Sequence, residues 1–411
     1  MVTEGFRKSA RTLTLLIAAL VLTEPVLAQR VFTVLPRATG EDENPVTFMR
    51  PYYAIHTAAG SSLSTPPSTA FTPAQIRHAY GFDQVANQGA GQVIGIVDAY
   101  DDPNAEADLA VFNAKFGLPA CTSANGCFRK VYSGTKPTTN ANWALEIALD
   151  VEWAHAIAPK ATIVLVETPT NSLANLLAGV DVAVRNGASA VSMSWTVAEF
   201  SGENSYDNHF TASGVTYFAA AGDSGTGVVY PAASPDVVGV GGTSLHLNSS
   251  GNYQSETAWS GSGGGLSKIE REPLFQSQFA IPDDAKGYRG APDVSYNGDP
   301  GTGVAIYDSF GINGASGWFQ VGGTSAGTPQ WAALIAITNS TRVATRKANL
   351  PSADTNLYSI AKSAMASDFH PVTSGTNGTC GALCTATAGY DFVTGLGTPQ
   401  APALIAALAA R

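Results

Sequence analysis

VIGIVD at residues 93–98 and TIVLVE at 162–167 are short, continuously apolar and rich in β-branched residues, and each ends on a carboxylate. A strand with one wet face alternates apolar and polar residues, whereas one that is apolar throughout is covered on both faces, as in a parallel sheet between helical layers. ASAVSMSW at 188–195 and VTYFAA at 215–220 have the same character. The segments between these runs, such as 142–158 and 173–185, have helical length and pattern. Strand and helix alternate, so βαβ units repeat, and the expected class is α/β with a mostly parallel central sheet and helices on both faces. Chemistry in such a sheet belongs beyond the carboxyl ends of the strands. Asp98, Ser194 and Asp223 lie at or just after those ends. Residues 239–265 are glycine-rich and read as a loop.

The 411 residues are 45% hydrophobic and 13% charged, which is enough apolar material for a large core and excludes general disorder. A net charge of −10 argues against nonspecific binding to nucleic acid or anionic membranes. Arg7, Lys8 and Arg11 precede an apolar run at 13–22, and Val26-Leu27-Ala28 offers a cleavage site, so residues 1–28 read as a signal peptide cut after Ala28. That run is too short for a bilayer span, which takes about 20 residues. The product is therefore expected to be secreted or periplasmic, with no membrane span. Residues 29–71, rich in Pro, Thr and Ser, read as a leader or linker too short and irregular for a folded domain, and 72–411 as one domain, expected to be a monomer. Export suits local disulfides, Cys121 with Cys127 and Cys380 with Cys384; a zinc site lacks the usual spacing.

Three segments carry chemistry. In VGGTSAGTPQWAALIA, 321–336, Ser325 follows two glycines and precedes an apolar helical run. A serine at a helix start sits beside unpaired N–H groups that stabilise developing negative charge, and it can equally be a plain cap. Pro329 is expected in the first turn, where it costs no hydrogen bond. VGGTS recurs at 240–244 without a following helix, so Ser244 reads as structural.

In NWALEIALDVEWAHAIA, 142–158, Glu146 and Asp150 lie about 40° apart on a helix that is apolar nearly all round, beside Trp143 and Trp153. Two buried carboxyls one turn apart must share a proton or have one pKa raised, which suits a general base working in acid. His155 points away from them. In AAAGDSG, 219–225, Asp223 ends a strand; it either forms a local turn or, kept protonated, donates to an oxyanion.

Taken in order, these segments resemble the sedolisin family of serine-carboxyl peptidases, which have a subtilisin-like fold. TPAQIRHAYGF, GQVIGIVDAYDDP, APDVS at 291–295 and GYDFVTGLGTP at 389–399 extend the resemblance from about Phe71 to the C-terminus. It implies Ser325 as nucleophile, Glu146 as general base and then acid, Asp150 as the residue that orients Glu146, Asp223 as oxyanion donor, polypeptide substrates and an acidic optimum. The activity expected is endopeptidase, with tripeptidyl-peptidase as the alternative within the family. It also implies a calcium site, here at Asp391, Gly389 and Val372, weakened or lost because Pro371 stands where the first acidic ligand is expected.

Rival readings are an Asp98-His-Ser325 triad, which lacks a suitably placed histidine, and an α/β-hydrolase-type esterase using His370 with Asp354 or Asp368. A catalytically silent binding protein would be expected to have lost a catalytic position.

Overall fold

The computed structural model describes Met1 and residues 49–51, 54–55, 64–282, 287–351 and 353–411. Beyond Met1, the expected signal peptide lies outside the described residues, as does much of 29–71. The described chain opens with two short strands, β1 (Arg50–Pro51) and β2 (Ala54–Ile55), and helix α1 (Pro73–Ala79). Thr72 and Gln75 close a reciprocal capping box at the start of α1, with Pro73 in its first turn.

The expected alternation follows: β3 (Val93–Ala99), α2 (Ala105–Phe116), β4 (Phe128–Tyr132), α3 (Ala141–Ile157), β5 (Thr162–Thr168), α4 (Leu173–Arg185) and β6 (Ala190–Met193). β7 (Trp195–Ala198), β8 (Thr216–Ala220), β9 (Val229–Tyr230), β10 (Val238–Leu247) and β11 (Tyr253–Ala258) come next. The C-terminal half adds β12 (Gly265–Arg271), α5 (Leu274–Phe279), β13 (Tyr288–Ala291), β14 (Val294–Asn297), β15 (Val304–Ile312), β16 (Ala315–Gly322), α6 (Thr324–Ala344) and α7 (Ala353–Asp368). β17 (Phe369–His370), β18 (Thr398–Pro399) and α8 (Ala401–Ala410) complete it.

The main sheet runs β11-β10-β8-β6-β3-β5-β4, with β14 joined to β10. β11 is antiparallel to β10; every other pair in this sheet is parallel. This is the expected mostly parallel sheet. Helix α4 lays Leu173, Leu176, Leu177, Val180 and Ala183 on one face, against Val97, Val164 and Val166. α3 and α6 cover the other face. Every residue of α3 from Trp143 to Ile157 is buried, as an all-round apolar helix must be, and Asn140 caps its start by accepting from the N–H groups of Asn142 and Trp143.

Four expectations change. Residues 188–195 are not one strand: β6 ends at Met193, Ser194 turns aside, and β7 leaves the sheet to pair with β1 and β9. The glycine-rich stretch from 239 is largely strand, because β10 sits inside the sheet where side chains would collide. A Cβ on Gly241 would lie 2.7 Å from Pro292, and one on Gly242 2.7 Å from Trp259. Pro329 falls in the second turn of α6, since that helix already starts at Thr324, so its missing N–H leaves the Ser325 carbonyl without the usual helical partner. Finally, the end of the leader is more than a linker: β1 and β2 pair with β7 and β16, and the Phe71 N–H donates to the Gly303 carbonyl at 2.9 Å. Both local disulfides form, Cys121 with Cys127 and Cys380 with Cys384.

Candidate active site

Ser325 is the second residue of α6, and Gly323 takes a φ of 128° to turn the chain from β16 into that helix. The Ser325 hydroxyl is fully buried and has no hydrogen-bond partner. Asp223, just beyond the end of β8, is locked to the same helix start. Its Oδ1 accepts from the Thr324 N–H and the Thr324 hydroxyl, each at 2.7 Å, while Oδ2 is buried with no partner. The Thr324 Oγ1 in turn accepts from the Gly222 N–H at 3.1 Å. One carboxyl oxygen is thus held and the other is free. Burial pushes the Asp223 pKa up to about 7 against two donated hydrogen bonds, so its free oxygen carries a proton in acid.

Glu146 faces Ser325 from α3. The Ser325 hydroxyl lies close enough to lower the proton affinity of the Glu146 carboxyl, although the two stop short of hydrogen-bond geometry and both Glu146 oxygens remain unpartnered. One turn on, Asp150 Oδ1 accepts from the Ser194 hydroxyl at 2.9 Å, and Oδ2 is free. Asp98, at the carboxyl end of β3, is fully buried with both oxygens unpartnered, and its charge acts on Glu146 and Asp150. Burial drives the Glu146 pKa well above its ordinary value, with further upward pushes from Asp150, Asp98 and Asp223. Asp150 rises well above its ordinary value by burial and then by Asp98. Asp98 itself is raised to about 8 by burial. Such a set cannot ionise fully in a dry site; it titrates as a unit that holds protons into the neutral range.

All four expected residues, Ser325, Glu146, Asp150 and Asp223, therefore converge. Three others stand at the same place: Thr324, which the sequence reading did not single out, and Asp98 and Ser194, which it put at the strand ends where chemistry is expected without giving either a role beside Glu146 and Asp150. Ser194 marks the break between β6 and β7, and Thr324 is the residue that fixes Asp223.

The histidines are engaged elsewhere. His155 Nε2 bonds to the Pro119 carbonyl at 2.9 Å, and His370 stacks on Tyr253 with ring centroids 3.8 Å apart. Among the described residues the one grouping with metal-ligand spacing is Cys121, Cys127 and His155, whose sulfurs are consumed in a disulfide.

The expected calcium ligands fit a cation poorly. Asp391 Oδ1 accepts from the N–H groups of Val393 and Thr394, both at 2.9 Å, and Oδ2 accepts from the Thr387 N–H at 3.2 Å and the Thr394 hydroxyl at 2.9 Å. A carboxylate has about four acceptor sites, so this one is saturated. Val372 packs its side chain with Ala258, Ala386 and Val393, and Gly389 turns the chain at a φ of 94°.

Comparison with known proteins agrees with this geometry. Residues 137–353 match the model of the Subtilase family. Kumamolisin of Bacillus sp. (strain MN-32) is 33% identical over 415 residues, covering 90% of this chain and 69% of that protein. Sedolisin of Pseudomonas sp. (strain 101) is 32% identical over 238 residues, covering 51% of this chain and 38% of that protein. The solved structure of Pseudomonas sedolisin, a serine-carboxyl proteinase complexed with two molecules of pseudo-iodotyrostatin, superimposes with a TM-score of 0.72 at 25% identity over 83% of this chain and 98% of that one. The chain belongs to the sedolisin family of serine-carboxyl peptidases.

Proposed function

We propose that this peptidase is a secreted endopeptidase that works in acid through an acyl-enzyme on Ser325. The observation that carries the reading is the meeting of an unpartnered serine hydroxyl with the Glu146 carboxyl on one side and the free oxygen of Asp223 on the other. Ser325 attacks the peptide carbonyl, and Glu146 takes its proton and passes it to the leaving amine. Asp150, held by Ser194, and Asp98 beside it keep Glu146 in a carboxyl cluster where a single negative charge is shared. Asp223, protonated, donates from Oδ2 to the oxyanion. Water then hydrolyses the ester, with Glu146 as base again.

The acidic optimum follows from these groups. As pH rises through about 7, Asp223 loses the proton it must donate; at low pH the carboxyl cluster takes its last proton and the base disappears.

Endopeptidase is read ahead of the tripeptidyl-peptidase activity named for relatives such as the sed4 protein of Aspergillus fumigatus, because strand pairing is available on both sides of the reactive groups: β1 pairs with β7, just after Ser194, and β2 with β16, just before Ser325. Secretion rests on the signal-peptide pattern; among the described residues no helix is long and apolar enough to cross a membrane. The saturated Asp391 supports a C-terminal loop that holds without calcium.

The test is hydrolysis of an unfolded protein at acidic pH by Ser325→Ala and Glu146→Gln. Each substitution is expected to lower kcat by about 10⁴-fold or more. Wild-type rates in either variant would sink the reading.

A further inference from the structure

The amino ends of β8 and β10, opposite the catalytic groups, help to enclose a second hollow. It has a volume of about 340 Å³ and is walled by Phe210, Pro235, Pro273, Phe275 and Pro351. Thr216 and Tyr217, the first two residues of β8, also border it. Successive strand residues point to opposite faces, so the hollow caps the end of β8 rather than lying on one face of the sheet. Asp223 stands beyond the other end of that strand, a path of about 20 Å at the usual rise per residue. None of Ser325, Glu146, Asp150 and Asp223 borders the hollow. A volume of this size falls in the range of small-molecule sites.

Polar atoms at its edge are unsatisfied. Asp354, the second residue of α7, borders the hollow with only 7% of its surface exposed, and its Oδ1 is buried without a hydrogen-bond partner. Thr216 Oγ1 is buried and unpartnered as well, and the Tyr217 hydroxyl nears the Ala212 backbone without reaching hydrogen-bond geometry. Buried polar atoms nearly always find partners, so three orphans around one cavity point to a guest. Charge selects which guest. Asp236 stands exposed at the rim, and no Lys, Arg or His is among the described residues bordering the hollow. Arg289 acts on Asp236 and Asp354 from behind, but its Nη1 and Nη2 are spent on Asp293, at 2.8 and 2.5 Å, and on the carbonyls of Gly290 and Val237. Asp293 offsets that cation, and Asp181, which also acts on Tyr217, is paired with His209 at 3.0 Å. Burial first, then Asp293, holds the Asp354 carboxyl well above the usual range, with Asp236 adding to the rise. The field in the hollow is therefore negative, and its aromatic walls offer ring faces that attract cations.

We propose that this hollow, remote from the peptidase site, binds a small organic cation, a primary ammonium on an apolar body, with the ammonium against Asp354 and the body on the phenylalanine and proline walls. An ammonium brings donors and a positive charge, the two things that the carboxyl of Asp354 lacks. A neutral guest would leave the charge of Asp236 and Asp354 unanswered, and an anion would be repelled by it. Binding favours the ionised form of Asp354, so it must weaken as pH falls and that carboxyl takes a proton, with Asp236 losing its charge in the same direction.

Phenethylammonium is titrated calorimetrically into the full-length Ser325→Ala protein at about pH 8, beside 2-phenylethanol and 3-phenylpropionate, which keep the phenethyl body and make the head neutral or anionic. The ammonium is expected to bind with a Kd of about 1 mM or tighter, and the alcohol and the carboxylate at least about tenfold more weakly. Asp354→Asn should raise the Kd for the ammonium by about tenfold or more, because the buried charge it pairs with is gone. Asp236→Asn, at the exposed rim, should raise it by only about threefold. Affinity should also fall as pH is lowered from about 8 to about 5. Absence of binding by the ammonium, equal affinity for the alcohol, or an unchanged Kd in Asp354→Asn overturns the proposal. Should Asp354→Asn show no cooperative unfolding transition, the three head groups and Asp236→Asn decide the matter on folded protein. The serine-carboxyl chemistry is untouched by either result, since Ser325 is absent throughout.

Discussion

Asp223 and Asp391 are the same residue, each buried to within a few percent, and they are used in opposite ways. Around Asp391 the chain folds three N–H groups and a hydroxyl onto the carboxylate and leaves no acceptor idle. Around Asp223 both donors come from Thr324 and reach one oxygen, and the other is left bare. Asp98 goes further, with neither oxygen partnered. Burying a carboxyl without donors is costly, and the cost is met by keeping the proton. The lesson is that the number of donors, rather than burial, separates a carboxyl that braces a loop from one that can give or take a proton.

The largest way to break this contrast is at Asp223. Asp223→Ala removes the free oxygen and should lower kcat by about 10²- to 10³-fold at acidic pH. Asp223→Asn can keep the Thr324 contacts through its carbonyl and donate from its amide at every pH. It is expected to retain most of the acidic rate and to move the alkaline limb of the pH–rate profile above the value near 7 at which Asp223 ionises. Identical profiles for wild type and Asp223→Asn would show that the bare oxygen is not the donor.

A smaller effect concerns stability. Asp98 and Asp223 have folded pKa values of about 8 and about 7, above the value near 4 of an unfolded aspartate. Between those limits the folded state binds more protons than the unfolded one, so stability is fully present below about pH 4 and is lost as pH rises toward 8. In an Ser325→Ala background, which prevents self-digestion, Tm should fall by more than about 5 °C between pH 4.5 and pH 8. Asp98→Asn should flatten that fall, and an unchanged slope would mean that Asp98 does not hold its proton.

How much of this was legible in the sequence depends on whether a signal is local. The parallel sheet was readable because VIGIVD and TIVLVE carry their burial on their own residues, and Glu146 and Asp150 because helical spacing places them on one side. The strand β10 was not, because Gly241 and Gly242 are explained only by Pro292 and Trp259, which come from elsewhere in the chain. Asp98 was visible as a strand end, yet its place beside Asp150 and Glu146 exists only once β3 and α3 are packed. The pairing of Arg50–Pro51 and Ala54–Ile55 was not legible for the same reason: two pairs of residues have no pattern, and only their partners β7 and β16 define them as strands.

The smallest effect is expected at the saturated aspartate. If Asp391 is satisfied by its own loop, a chelator has nothing to remove, and Tm with EDTA should equal Tm with added calcium. Asp391→Asn replaces one acceptor oxygen with an amide facing the donors of Thr387, Val393 and Thr394. It should therefore lower stability by about 1–3 kcal/mol, the range for leaving buried donors unsatisfied. The acidic kcat is expected to change far less, because none of the hydrogen bonds of Asp391 involves Ser325, Glu146, Asp150 or Asp223. A calcium-dependent rise in Tm would show instead that the four donors give way to a cation, and Asp391 would then belong with Asp223 among the carboxylates kept for a partner.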